Sequence, residues 1–313
     1  MEFLNIEKVK NISSIGGGPI GGGWTAFFLS KGYNVKSYLH EPKEKKMFMK
    51  IVRTAWKSLK KLGLTKNASL NNLSVVYDLK KSLEGSHFVQ ESAPEKLELK
   101  QDLYYEMGEI LPKNIIISSS TSGFMMTDIQ KKCNSPERTI IGHPFNPPYI
   151  LPLVEIVGGQ KSSKLAVEWA YDFYKSSGKE PLKLKKEIPG FVATRLQEAL
   201  WREALHMVDN GEASPEDIDI ALINGPAPRM VIQGQCMAFH VACGEGGMAT
   251  NLDQFGPALK WPWTRLKAPE LTSELRDKMV KGCNEMAGNT NFEDLVSSRD
   301  NAIVKVLNAI GNK

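Results

Sequence analysis

Two residues of the chain have the types and spacing to move a proton together. His143 follows the apolar run Arg138 to Gly142 and opens the loop Pro144-Phe145-Asn146-Pro147-Pro148, and Glu155 lies twelve positions further on, inside Leu153-Val154-Glu155-Ile156-Val157. That second run reads as a buried strand. A carboxylate in its middle is costly unless something pairs with it, and a loop folding back brings the His143 imidazole within reach. Glu155 would then fix the tautomer of His143 and stabilise its protonated form, which makes the pair a general acid/base. The alternative is a core histidine in a structural ion pair, since such pairs also form without catalysis.

A second constellation carries a different chemistry. Val9 to Ile15 reads as a strand and leads into Gly16-Gly17-Gly18-Pro19-Ile20-Gly21, after which Trp24 to Lys31 has helical character. Gly16, Gly18 and Gly21 form GxGxxG in the strand-then-helix context of a dinucleotide site. The first glycine permits the tight turn, the second admits a pyrophosphate to the backbone, and the third lets helix and strand pack closely. Ser13 and Ser14 are polar for a buried parallel strand, and Gly22-Gly23 weakens the start of the helix. The next strand, Asn34 to Leu39, should end in an acid for the ribose hydroxyls of NAD; Leu39 stands there, and the nearest acid is Glu41. NAD remains the expected cofactor, with Glu41 as its ribose ligand.

Further strands are expected at Leu73 to Val76, Phe88 to Ser92, Ile115 to Ile117, Arg138 to Gly142 and Glu180 to Leu184, with helices at Glu44 to Leu62, from about Glu95, and at Ser162 to Ser177. The run Ile115-Ile116-Ile117 breaks into Ser118-Ser119-Ser120-Thr121-Ser122-Gly123, a hydroxyl-rich turn at the carboxyl end of a strand, where open α/β sheets bind ligands. Lys185-Lys186-Glu187-Ile188-Pro189-Gly190 punctuates the chain. The remainder reads as helical: Phe191 to Val208, a start at Ser214-Pro215-Glu216-Asp217, and helices at Leu271 to Met286 and Phe292 to Ile310. The expected architecture is α/β, a Rossmann-type doubly wound sheet domain over 1–187 followed by an all-helical domain over 188–313.

Composition bounds the partners. The 313 residues suffice for about two domains. A net charge of +5 without a basic block or tail does not favour nucleic acid, though it suits an anionic small molecule. The four cysteines, Cys133, Cys236, Cys243 and Cys283, have no zinc spacing, and no ligand constellation suggests a metal. No apolar run approaches membrane-spanning length, so a cytoplasmic protein that binds a small molecule is expected.

Taken together, Gly16 to Gly21, Ser122, His143, Glu155 and Pro189-Gly190-Phe191 resemble the 3-hydroxyacyl-CoA dehydrogenase superfamily over nearly the whole chain. Within it the chain is most similar to the branch that oxidises L-carnitine, on His143 to Gly159, Glu198 to His206, Cys243 to Met248 and the unusual run Gln254-Phe255-Gly256-Pro257-Ala258-Leu259-Lys260-Trp261-Pro262-Trp263-Thr264. The resemblance implies Ser122 as the group that holds the substrate oxygen, His143 as base and Glu155 as its partner. It implies Glu95 and Lys100 as cofactor contacts, Asn146 between cofactor and substrate, and a homodimer formed through the helical domain. Acyl-CoA enzymes carry asparagine where this chain has Thr194. Carnitine has a quaternary ammonium group that aromatic faces hold best, and Phe239, Phe255, Trp261 and Trp263 supply them; packing is their other use. The competing expectations are a dehydrogenase of another 3-hydroxy acid or 3-hydroxyacyl-CoA, and a non-catalytic dinucleotide-binding protein of the crystallin kind.

Overall fold

The computed structural model describes residues 2–243, 247–256, 262–265, 270, 272–275, 277, 280 and 289–310. Its strands are β1 (Asn11–Ile15), β2 (Asn34–Tyr38), β3 (Leu73–Val76), β4 (Phe88–Glu91), β5 (Ile117–Ser119), β6 (Thr139–Pro144), β7 (Leu153–Gly158) and β8 (Glu180–Lys183). They form one sheet in the order β3-β2-β1-β4-β5-β6-β7-β8. Every neighbouring pair is parallel except β6 and β7, which run antiparallel. The sheet reverses its winding between β1 and β4, so ligand chemistry belongs at the carboxyl edge there.

Ile12, Val35, Phe88, Val89, Ile117, Ile140, Ile141, Val154 and Ile156 are buried on these strands, as expected of a sheet covered on both faces. The serines of β1 are accommodated by hydrogen bonds. Ser13 Oγ donates to the Ser82 carbonyl and lies 2.5 Å from Ser86 Oγ, and Ser14 Oγ donates to the Gly21 carbonyl at 3.3 Å. The strand read at Ile115 to Ile117 sits two residues later, because Ser118 and Ser119 find buried partners in Tyr174 and Glu91 and continue the ladder.

Helices α1 (Pro19–Ser30), α2 (Lys45–Leu62), α3 (Leu79–Leu83), α4 (Leu97–Ile110), α5 (Met126–Ile129) and α6 (Lys164–Ser176) accompany the strands. α1 begins at Pro19, earlier than Trp24, with proline in its first turn. Its internal glycines weaken the helix but permit close packing: a Cβ on Gly22 would lie 2.7 Å from Ile51 Cγ2.

The chain forms two compact units, one of Met1–Thr194 with Arg299–Val306 and the other of Arg195–Ser298 with Leu307–Lys313. α7 (Ala193–Asp209), α8 (Pro215–Asn224), α9 (Ala227–Ala242), α10 (Gly247–Phe255) and α11 (Phe292–Ile310) complete the described helices. α8 opens with a capping box, Ser214 Oγ accepting from the Asp217 amide and the Asp217 carboxylate from the Ser214 amide. Ala204, Val208, Ile218 and Leu275 form the core of the helical unit. The helix read at Leu271 to Met286 lies mostly outside the described residues. Among the described residues no helix is long and apolar enough to cross a membrane.

Candidate active site

His143 and Glu155 are directly opposite each other in the antiparallel pairing of β6 with β7. The sequence suggested a loop folding back; instead β6 continues through Pro144, and strand register brings the two side chains together. His143 Nδ1 is 2.9 Å from Glu155 Oε2, with the residues 4 % and 0 % exposed. The other carboxylate oxygen, Oε1, accepts from the backbone amides of Val192 at 2.8 Å and Ala193 at 2.9 Å. These amides open α7, where a negative charge is favoured.

Burial alone would raise the Glu155 carboxyl. The hydrogen bonds from His143, Ala193 and Val192 outweigh that and hold it below its usual value. The convergence of the two amides depends on an uncommon turn. Gly190 has φ 72°, and Phe191, a bulky residue, has φ 50°. The buried Phe191 ring lies 5.3 Å from the His143 ring, and that of Phe145 lies 5.5 Å away. With Nδ1 committed to Glu155, His143 Nε2 has no hydrogen bond among the described residues. The Val192 and Ala193 amides were not anticipated; Pro189-Gly190 before a helix start was their only sequence signal.

Ser122 lies on the same edge of the sheet. β5 pairs Ser119 with Ile141 of β6, so Ser122, three residues on, and His143, two residues on, both stand at the carboxyl end of neighbouring strands. The Ser122 side chain is exposed. Glu95 shapes this turn, accepting from Thr121 Oγ1 and from the amides of Ser122 and Gly123 at 3.2 Å each. Lys100 is 1 % exposed and bound to Glu91 Oε1 at 2.7 Å, with Glu95 Oε2 at 3.4 Å. Asn146 is exposed in the loop after β6, and Thr194 is half-buried at the start of α7.

The glycine loop joins β1 to α1 at the same edge. Gly16 adopts φ 112°, and a Cβ there would lie 2.4 Å from the Ser92 carbonyl oxygen. A Cβ on Gly18 would meet nothing within 4 Å. Protein packing therefore does not demand this glycine, whose openness fits the close approach of a pyrophosphate. Gly18, the N-cap of α1, has no side chain to cap the first turn, and a helix start of this kind favours an anion. Leu39 is buried, and Glu41 pairs with Lys43 at 2.5 Å. In the helical unit Phe255 is 49 % exposed; Trp261 lies outside the described residues.

Family models match both parts of the chain. Residues 11–188 match the 3-hydroxyacyl-CoA dehydrogenase NAD binding domain, and residues 190–286 match the C-terminal domain of the same family. An L-carnitine dehydrogenase of Streptomyces coelicolor is 49 % identical over 305 residues, covering 97 % of this chain and 96 % of that protein. One of Pseudomonas putida is 42 % identical over 305 residues, covering 97 % and 95 %. Among solved structures, an NAD+ dependent 5-formyl-3-hydroxy-2-methylpyridine 4-carboxylic acid 5-dehydrogenase superposes with TM-score 0.81 at 25 % identity, covering 96 % of this chain and 98 % of that one. The (S)-3-hydroxybutyryl-CoA dehydrogenase of Ralstonia eutropha gives TM-score 0.62 at 27 % identity, covering 72 % and 82 %.

Proposed function

The chain belongs to the 3-hydroxyacyl-CoA dehydrogenase family as an NAD-dependent oxidoreductase acting on CH–OH, and from this premise we propose that it oxidises the 3-hydroxyl of L-carnitine to 3-dehydrocarnitine. The observation that carries the chemistry is the His143–Glu155 pair with its one uncommitted nitrogen. Glu155 accepts a hydrogen bond from Nδ1–H and so leaves the Nε2 lone pair as the base. Nε2 takes the hydroxyl proton while the carbon–hydrogen bond breaks and the carbonyl forms; in reduction the same atom returns the proton. Ser122 donates to the substrate oxygen, and the buried Glu155 carboxylate offsets the charge that develops on the ring. The loop Gly16 to Gly21 would hold NAD, which would supply the hydride acceptor. Asn146 would lie between cofactor and substrate, and Glu95 and Lys100 order the carboxyl edge beside it by fixing the 120–123 turn and the end of β4.

The substrate assignment is supported by the carnitine relatives and by the chemistry of the ligand. A quaternary ammonium cannot donate hydrogen bonds and is held by aromatic faces. The helical unit exposes Phe239, Phe255 and Trp263 at 40, 49 and 65 %. Thr194 stands where the acyl-CoA enzymes carry asparagine, which favours a small substrate over a CoA thioester. Incubation with L-carnitine and NAD at alkaline pH, followed by absorbance of the reduced cofactor, tests the proposal. Carnitine-dependent reduction is expected. Reduction with 3-hydroxybutyryl-CoA and none with carnitine would overturn the substrate assignment, and binding of NAD with no turnover of any hydroxy compound would overturn the catalytic one.

A further inference from the structure

The ribose end of the cofactor site lacks the acid that ordinarily terminates the second strand and holds the hydroxyls of NAD. β2 ends at Tyr38, and the next residue, Leu39, is fully buried. Its Cδ2 would lie 2.6 Å from a Cβ on Gly17, so the leucine packs under the glycine loop. Glu41 is engaged elsewhere, its carboxylate 2.5 Å from Lys43 Nζ. Glu44 stands differently. Its Oε2 would be 3.3 Å from a Cβ on Gly17, which puts the carboxylate beside the middle of the loop.

Glu44 immediately precedes α2, and its side chain makes no capping hydrogen bond. Among the described residues it makes no other side-chain hydrogen bond or ion pair. It also faces the end of β2. The Tyr38 phenol is pushed up first by burial and then by the charges of Glu106, Glu44 and Asp78. The Tyr38 carbonyl in turn accepts from the Gly16 amide at 3.0 Å, which ties that strand end to the loop.

We propose that Glu44 accepts the ribose hydroxyls of NAD and repels the 2′-phosphate of NADP, replacing the strand-end acid absent at Leu39. An ionised carboxylate only accepts hydrogen bonds, and a vicinal diol offers it two donors. A phosphate at the same place would bring two like charges together. Lys43 could otherwise attract that phosphate, and Glu41 neutralises it. The two acids thus act in complement, Glu41 quenching the lysine while Glu44 reads the sugar.

The assignment rests on NAD as cofactor, and direct binding tests it without turnover. NADH and NADPH are titrated against the wild type, Glu44→Gln, Glu44→Asp and Glu41→Gln, with nucleotide fluorescence giving each Kd and a thermal melt confirming the fold. The wild type should prefer NADH. Glu44→Gln should weaken NADH about tenfold, the worth of one charge-assisted hydrogen bond, and should tighten NADPH. Glu44→Asp should weaken NADH while still excluding NADPH, and Glu41→Gln, which frees Lys43, should tighten NADPH and weaken NADH less than Glu44→Gln does. Equal weakening of both nucleotides in Glu44→Gln, no change in either, or a larger loss of NADH in Glu41→Gln than in Glu44→Gln would overturn the inference. Equal binding of both nucleotides by the wild type would overturn it too, whereas binding of neither would remove the cofactor assignment beneath it.

Discussion

Two buried carboxylates, each with a side-chain partner, lie along the same sheet, and the pairs differ in what is left over. Glu91, at the end of β4, accepts from the Ala93 amide at 2.6 Å, from Lys100 Nζ at 2.7 Å and from Ser119 Oγ at 2.6 Å. The Lys100 ammonium, with three protons to donate, meets Glu91, the Ala93 carbonyl at 3.2 Å and Glu95. Both members are saturated. Glu155 is equally saturated, by His143 and two amides, but its imidazole partner keeps one ring nitrogen free of hydrogen bonds among the described residues. A buried pair that closes on itself holds a fold together. One that closes on the carboxylate side alone holds an atom in place for something else.

The contrast can be broken by replacing one member of each pair. His143→Ala should lower turnover about 10²–10⁴-fold, the range of general acid–base catalysis, while the Kd for NADH stays within about twofold. Undiminished turnover would remove His143 from the role. Lys100→Met should instead act on stability, lowering the free energy of urea unfolding by about 3–5 kcal/mol because Glu91 is left buried and unpaired. The double replacement Glu91→Gln/Lys100→Met should recover part of that loss; if the two single losses simply add, the pair is not coupled.

Acid titration gives a smaller effect with a definite sign. The unfolded chain takes up a proton at Glu155 near its ordinary 4.5, and the native protein holds that carboxyl lower. The stabilisation is therefore complete above pH 4.5 and is lost as the pH falls through the lower native value. Glu155→Gln should flatten that acid limb of the stability curve, and an unchanged limb would contradict the assignment. The smallest effect belongs to Ser122→Ala, expected to reduce kcat/KM about tenfold through loss of one hydrogen bond to the substrate oxygen.

What could be read from the residues was what depends on local chain chemistry. The glycine loop was legible because its turn and close contacts demand glycine, as the φ of Gly16 and its contact with Ser92 show. The start of α8 at Ser214-Pro215-Glu216-Asp217 was legible within four residues, where Ser214 and Asp217 form a capping box. The need of Glu155 for a partner was legible too, since a carboxylate within an apolar strand has few ways to be satisfied. The means was not, because strand register is a tertiary property. The Val192 and Ala193 amides were invisible for another reason: they depend on a positive φ at a phenylalanine, which residue type argues against. Glu44 was hidden behind Glu41, the nearer acid in sequence but one whose charge turns to Lys43.

The most direct measurement reads the His143 proton itself. The chain has five histidines, so a long-range ¹⁵N–¹H spectrum of protein labelled at the imidazole nitrogens is sparse, and His143→Ala identifies the signal. At a pH where the ring is neutral, the account predicts a proton on Nδ1, held by Glu155, and a bare Nε2, with this preference lost in Glu155→Gln. A proton on Nε2 in the wild type, the tautomer that free imidazole side chains favour, would contradict it.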